Sequence, residues 1–316
     1  MKIKGKNILI TGATGFVGAN LVKHFLKKGA NISIFKRQQS SLWRIKDIID
    51  QISVYNADLL DCAKVNKAVK RIRPDVILHA ATYGGHATQA NLTRIFKTNF
   101  DGTVNLLNSC LKNGFELFVN TGSSSEYGVK DYPMRESDLL KPVTLYGVSK
   151  AAASIYCQYA AKRHNLPIVT LRLFSPYGYF DDRSRVISYI ILSCLKNKTI
   201  NISSPNPVRD FIFIDDVVDA YEKTMVRCSN MSGSIFNIGS GKQCSIEKLA
   251  GKITRAIDDN TVIKYQKKLS TRIEPKNWVA DISKSSVELK WQPKFSIDEG
   301  LRKTIVWFRE NKELYS

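Results

Sequence analysis

Tyr146 and Lys150 stand four residues apart in the stretch TLYGVSKAAA, Thr144 to Ala153. Four residues is about one helical turn, so both side chains leave the same face of a helix. A free phenol ionises near pH 10, and an ammonium one turn away, together with a cationic hydride carrier, stabilises the phenolate and lowers that value. Bringing the phenol to about 7 is a change of roughly three units, about 4 kcal/mol of charge stabilisation. A phenol so poised can give a proton to a ketone oxygen while hydride reaches the carbon. The same spacing also suits a surface tyrosine lying over a lysine stem, so the surrounding elements must decide between the two.

The run NILITGATGFVGANLVKHFLKKGANISIF, Asn7 to Phe35, contains such elements. Asn7 to Ile10 is a short apolar run suited to a buried parallel strand. Gly12, Gly15 and Gly18 follow at three-residue spacing, then a helical pattern on Leu21, Val22, Phe25 and Leu26 that stops at Gly29. A second strand covers Ile32 to Phe35. Strand, glycine-rich turn, helix and strand form a dinucleotide-binding unit, with pyrophosphate expected on the helix N-terminus. The second strand runs into Lys36 and Arg37. An acid here favours NAD, whereas an arginine accommodates a 2′-phosphate. Two cations without a carboxylate favour NADP(H); read as exposed loop charges, they leave NAD(H) open.

The alternation continues. PDVILHAA reads as a strand, TNFDGTVNLLNSCLKNG as a helix ending at Gly114, and ELFVNTGSSSEYG as a strand leaving a polar loop. AAASIYCQYAAKRHN reads as a helix and PIVTLRLF as the next strand. Alternating units predict an α/β fold with a doubly wound parallel sheet and ligands at the carboxyl ends of its strands. Val54 to Asp58 and Leu78 to Ala81 are expected to end at that edge.

Composition bounds the rest. The chain has 316 residues, 43% hydrophobic and 24% charged, enough for one large domain or two unequal ones. No apolar run approaches the length of a membrane span, and MKIKGKNILI does not read as a signal peptide. Six cysteines are scattered without CxxC or histidine at ligand spacing, which predicts free thiols in a reducing cytoplasm and no metal site. The formal charge is +20, but the lysines are spread along the chain with no basic tail and no arginine–aromatic interleaving. That pattern argues against a nucleic-acid partner and favours solvated helix faces, whose field an anionic ligand would share.

In chain order stand TGATGFVG (Thr11–Gly18), ADLLD (Ala57–Asp61), HAA (His79–Ala81), TN..GT (Thr98–Thr103), SSSEYG (Ser123–Gly128) and YGVSK (Tyr146–Lys150). RDFIFIDDVVDAY (Arg209–Tyr221) and FNIGSG (Phe236–Gly241) follow. This set covers nearly the whole chain and resembles the extended short-chain dehydrogenase/reductases, the nucleotide-sugar epimerase, dehydratase and reductase group. The resemblance implies a Rossmann domain over residues 1–175, with a return segment at about 211–240. It implies a smaller α/β lobe for the sugar nucleotide over 176–210 and 241–316. Cofactor contacts are implied at Gly12, Thr14, Gly15, Phe16, Val17, Gly18, Lys36, Arg37, Asp58, Leu59, Ala80, Ala81 and Asn99, and at Tyr146 and Lys150. Tyr146 is implied as the acid/base, Lys150 as the holder of the nicotinamide ribose, and Ser123, four residues before Tyr127, as the hydroxyl that orients the substrate oxygen.

The loop after Ser123 narrows the implied reaction. Dehydratases of the group carry Asp-Glu or Ser-Glu where this chain has Ser124 and Ser125, and Glu126 is out of step by one. GDP-fucose-synthase-like enzymes place a cysteine where Ser125 stands. The loop resembles the GDP-4-keto-6-deoxymannose reductases more closely. Further substrate contacts are implied at His86, at Arg209 and Arg272 on the pyrophosphate, and at Ser175, which replaces the group's usual asparagine. The expectation is therefore an NADPH-dependent reductase of a nucleotide-linked 4-keto-6-deoxy sugar. The alternatives are an NAD-dependent 4-epimerase and, more remotely, a non-catalytic dinucleotide sensor. The resemblance also implies a homodimer in which the Tyr146 helix and the long helix before it pack as a four-helix bundle.

Overall fold

The protein, seen in a computed structural model, is described over residues 1–86, 88–228, 231–265 and 275–315. Its frame is a seven-stranded sheet. The strands are β1 (Asn7–Thr11), β2 (Asn31–Lys36), β3 (Ser53–Asn56), β4 (Val76–His79), β5 (Leu117–Ser123), β6 (Ile168–Leu173) and an edge strand, Ile235–Ile238. From that edge the order runs Ile235–Ile238, β6, β5, β4, β1, β2, β3, every neighbour parallel. The expected doubly wound sheet is thus observed, and the order reverses between β1 and β4, where a crevice opens at the strands' carboxyl ends.

The strands are short apolar runs because both faces are covered. Ile8 and Ile10 point to one face and Leu9 to the other, and all three are fully buried. On the first face α1 (Phe16–Lys27) buries Leu21, Val22 and Phe25. On the second, α2 (Cys62–Ile72) inserts Val65 and Val69 beside Leu106 and Leu107. After α2 and β4 the chain runs as α3 (Leu92–Phe96), a π-helical turn (Lys97–Asp101) and α4 (Gly102–Asn113), where the sequence alone suggested one helix from Thr98 to Gly114. α5 (Leu145–His164) lies on this face through Cys157, Ala160 and Ala161.

After β6 the chain leaves the sheet to form α6 (Val186–Leu195). It comes back as α7 (Ile214–Arg227), which packs on the α1 face through Val217 and Tyr221, and as the edge strand. The remaining chain adds α8 (Ile246–Ile257) and a last helix, Ile297–Glu310, which buries Leu301 and Ile305. Two small sheets support this end. Ile200–Ile202 pairs in parallel with Ile263–Tyr265, and Val208–Asp210 pairs antiparallel with Gln243–Ser245. Among the described residues no helix is long and apolar enough to cross a membrane, and no group of side chains is arranged to hold a metal ion. The six cysteines are all free thiols.

Candidate active site

The glycine turn sits at the crevice. Gly12 has φ +67°, and a Cβ there would lie 2.6 Å from the Ala80 carbonyl carbon, so only glycine lets the turn pass β4. A Cβ on Gly18 would collide with the Gly12 carbonyl, which explains the tight strand–helix contact. Gly15 differs: an added Cβ would meet only Gly12 O, at 3.2 Å, and would stand in the open space above the turn. Gly15 caps α1 without a side-chain bond, and the first turn carries no acid. Phe16 and Val17 open this uncapped, positively polarised helix end, which is the fit a pyrophosphate requires.

The other expected cofactor positions surround this turn. Lys36 and Arg37 end β2 half-buried, with the Arg37 amide donating to Ser40 Oγ at 3.1 Å. Asp58 is exposed and accepts from the Leu60 amide at 3.0 Å, while Leu59 is buried against Gly102. Ala80 and Ala81 donate their amides to Thr11 O and Thr11 Oγ1. The Thr14 carbonyl accepts from Arg44 Nη1 at 3.2 Å, and Arg44 Nε donates to Phe180 O at 2.7 Å. Asn99 lies behind the loop that follows β4. Its fully buried amide accepts from Tyr83 N and Thr82 Oγ1 and donates to Tyr83 O and Ser149 Oγ. Its polar capacity is met by protein, so its side chain fixes the loop after β4.

α5 delivers the reacting groups. Thr144 caps it by accepting from the Gly147 amide at 3.0 Å, which sets Tyr146 and Lys150 in the first turns on one face. Lys150 is only 1% exposed and makes no ion pair among the described residues. Burial pushes its ammonium below the usual value, and Glu126 partly opposes this. Such an ammonium fits a ribose diol as its missing partner. The Tyr146 phenol faces the side chains of Thr82 and Ser123. Burial raises it above the ordinary phenol value; those two side chains and the Arg185 charge pull it back only partly. The lowered phenol expected above counts an oxidised nicotinamide as well as the ammonium; in the protein alone burial outweighs the protein's own cations, and the positive ring of that cofactor is the charge that would complete the set.

Ser123 ends β5, and its Oγ accepts from the Ser125 amide at 3.1 Å, capping a single 3-10 turn, Ser124–Glu126. Ser124 is buried, its Oγ accepting from Trp278 Nε1 at 3.1 Å. Glu126 has no free oxygen. Oε1 accepts from the Ser123 amide at 2.8 Å and Ser154 Oγ at 3.0 Å, and Oε2 accepts from Arg172 Nε at 2.7 Å. Both members of that pair are buried, and the guanidinium lies over the Tyr127 ring at 4.6 Å. The out-of-step acid therefore holds the Ser123 turn from beneath.

The remaining expected contacts lie around the opening. His86 is half-buried; burial and Arg185 push its imidazolium down, against a smaller pull from Asp182. Arg185 thus acts on both His86 and Tyr146, and it pairs with the buried Asp181 at 3.4 Å. Ser175 is half-buried, its carbonyl accepting from the Ile212 amide at 3.2 Å. Arg209 stacks on Trp278 at 5.3 Å and donates to Val208 O at 2.7 Å. Arg272 lies outside the described residues. Sequence reasoning missed Thr82, Arg44 and Arg185. A threonine after HAA and two single arginines carry no local signal, because their roles arise from contacts across the chain.

A dinucleotide cradle at the switch point of a parallel sheet, with a serine, tyrosine and lysine converging beside it, defines an extended short-chain dehydrogenase/reductase. The family model described as "NAD dependent epimerase/dehydratase family" matches residues 8–239, and the chain belongs to that family of enzymes. A dTDP-4-dehydro-6-deoxyglucose reductase of Escherichia coli is 27% identical, with 96% of this chain and 98% of that protein covered. The UDP-glucose 4-epimerase of Thermotoga maritima, solved with UDP-glucose, has TM-score 0.87 at 25% identity, covering 96% of this chain and 99% of that one. A UDP-glucuronic acid 4-epimerase of Bacillus cereus, solved with UDP-glucuronic acid and NAD, has TM-score 0.86 at 26% identity, covering 96% and 99%.

Proposed function

We propose that the enzyme is an NADPH-dependent reductase of a nucleotide-linked 4-keto-6-deoxy sugar. The observation that carries this reading is the state of Glu126, whose two oxygens are both engaged in a buried network. With serines at 124 and 125, the loop beside Ser123 offers no free acid to remove water from the sugar, which argues against dehydration and leaves hydride chemistry at C4, with Lys36 and Arg37 favouring net reduction. The similarity to the E. coli reductase supports the same substrate class. Lys36 and Arg37 at the end of β2 support a 2′-phosphate, and a cofactor drawn from the reducing pool suits a net reduction.

When bound, the reduced nicotinamide supplies a hydride to the C4 ketone. Ser123 orients the ketone oxygen, Tyr146 gives it the proton, and Lys150 holds the ribose and supports the phenolate left behind. Arg209 and Arg272 bind the substrate pyrophosphate, with His86, Ser124, Ser125 and Ser175 around the sugar. The free cysteines suit a reducing cytoplasm. A homodimer is proposed through α5, whose Val148, Ile155 and Tyr159 are exposed.

The second reading, a 4-epimerase that oxidises and re-reduces C4 with retained NAD, is favoured by the two solved epimerases above. A panel of nucleotide sugars incubated with NADH or NADPH separates the readings. The reductase consumes stoichiometric NADPH at 340 nm with a 4-keto-6-deoxy substrate. Interconversion of two sugar nucleotides without net cofactor consumption would replace it with the epimerase.

A further inference from the structure

Thr82 stands where a second hydroxyl can act on the reacting phenol. It follows β4 and its side chain is exposed to the cleft. Its Oγ1 donates to Asn99 Oδ1 at 3.2 Å. Asn99 is itself locked: Nδ2 donates to Ser149 Oγ at 2.9 Å, and Ser149 Oγ donates to the Tyr146 carbonyl at 2.8 Å. The circuit closes on α5, so Thr82 and Tyr146 are held in register by one buried amide. Ser123 approaches the same phenol from the end of β5.

We infer that Thr82 is a further catalytic residue, whose hydroxyl turns from Asn99 Oδ1 to the Tyr146 oxygen as the phenol loses its proton. This rests on the reading of Tyr146 as the proton donor. A hydroxyl has one hydrogen to give, so it cannot serve both acceptors at once. The turn leaves nothing buried unsatisfied, because Asn99 Oδ1 keeps the Tyr83 amide at 2.8 Å. No proton is lost from Thr82: the phenolic proton passes to the substrate oxygen, and the threonine O–H only changes acceptor. While the phenol is protonated, Thr82 can rest on Asn99 and accept. Once the phenolate forms, it donates. The charged groups acting on the phenol are Arg185 from the α6 side and Glu126 from the 3-10 turn. Thr82 adds a dipole that follows the phenol's charge where these are fixed.

The test compares Thr82→Val, which keeps the shape, with Thr82→Ser, which keeps the hydroxyl, against Tyr146→Phe. Two readouts are used. One is the pH profile of kcat. The other is the 295 nm phenolate titration of cofactor-saturated protein, taken as a difference from Tyr146→Phe because the chain has 13 tyrosines. Thr82→Val is expected to move the Tyr146 midpoint up by about one unit and lower kcat near neutrality about tenfold, with KM little changed. Thr82→Ser is expected to restore both. A Thr82→Val protein with the wild-type midpoint overturns the inference, whatever its rate. If Tyr146→Phe stays active, the proton-donor reading itself has failed. The titration reads the phenol without turnover, so an incorrect substrate assignment leaves the inference open to refutation.

Discussion

Tyr146→Phe removes one oxygen from the crevice and leaves the ring packed. It is expected to abolish turnover while the cofactor dissociation constant stays near wild type, read by fluorescence titration. Lys150→Ala should damage both, since the proposed mechanism gives the buried ammonium the ribose as well as the phenol. Ser123→Ala should cost about a hundredfold in kcat, the usual scale for one oriented donor. Arg37→Ala is expected to weaken NADPH far more than NADH; equal losses would remove the case for a 2′-phosphate contact. The placement of the YxxxK pair on one helix and of the glycines in the turn was legible because those signals are local, one helical turn for the pair and a fixed spacing for the glycines. The state of the phenol was not legible. Spacing showed the ammonium but not the burial that raises Tyr146 in the protein alone.

Elements were legible where both sheet faces are covered, because such strands read as continuous apolar runs. The π-turn at Lys97–Asp101 was not, since it interrupts neither the hydrophobic pattern nor the helix direction. The turn after β5 was also opaque, because Glu126 finds Arg172 across 46 residues of chain. That pair gives the turn its prediction. Arg172→Met leaves a buried carboxylate without its cation, and the cost of such a break is about 3–5 kcal/mol. Urea unfolding should show that loss. Activity should fall as well, because Glu126 holds the Ser123 amide. A variant of wild-type stability would mean that the pair only fills space.

At the scale of the whole molecule, pH reports on the C-terminal side of the cleft. Burial pushes the Asp181 carboxyl up to about 6, against the pull of Arg185. The folded protein therefore binds this proton more tightly than the unfolded chain does. The contribution to stability is fully present below about pH 4 and is lost as pH rises through about 6. Asp181→Asn should flatten that part of the melting profile, so the difference in Tm between wild type and variant should change between pH 4 and 6 and level off above. A difference independent of pH would show that Asp181 does not titrate there. Sedimentation at micromolar concentration should give a dimer; a single monomeric species would remove the role proposed for the exposed face of α5.

Arg44 joins two parts of the chain that lie far apart in sequence. Its one guanidinium grips the carbonyl of Thr14 in the glycine turn and that of Phe180 on the way to α6. A shift of the glycine turn would therefore be felt at Phe180, so occupancy of the proposed cofactor site would bear on the proposed sugar site. If the proposed reductase reading holds, the expected consequence is a queue: dinucleotide enters first, sugar second, and the alcohol leaves before the oxidised cofactor. Product-inhibition patterns should show this compulsory order in the wild type, and Arg44→Ala should relax it toward random entry.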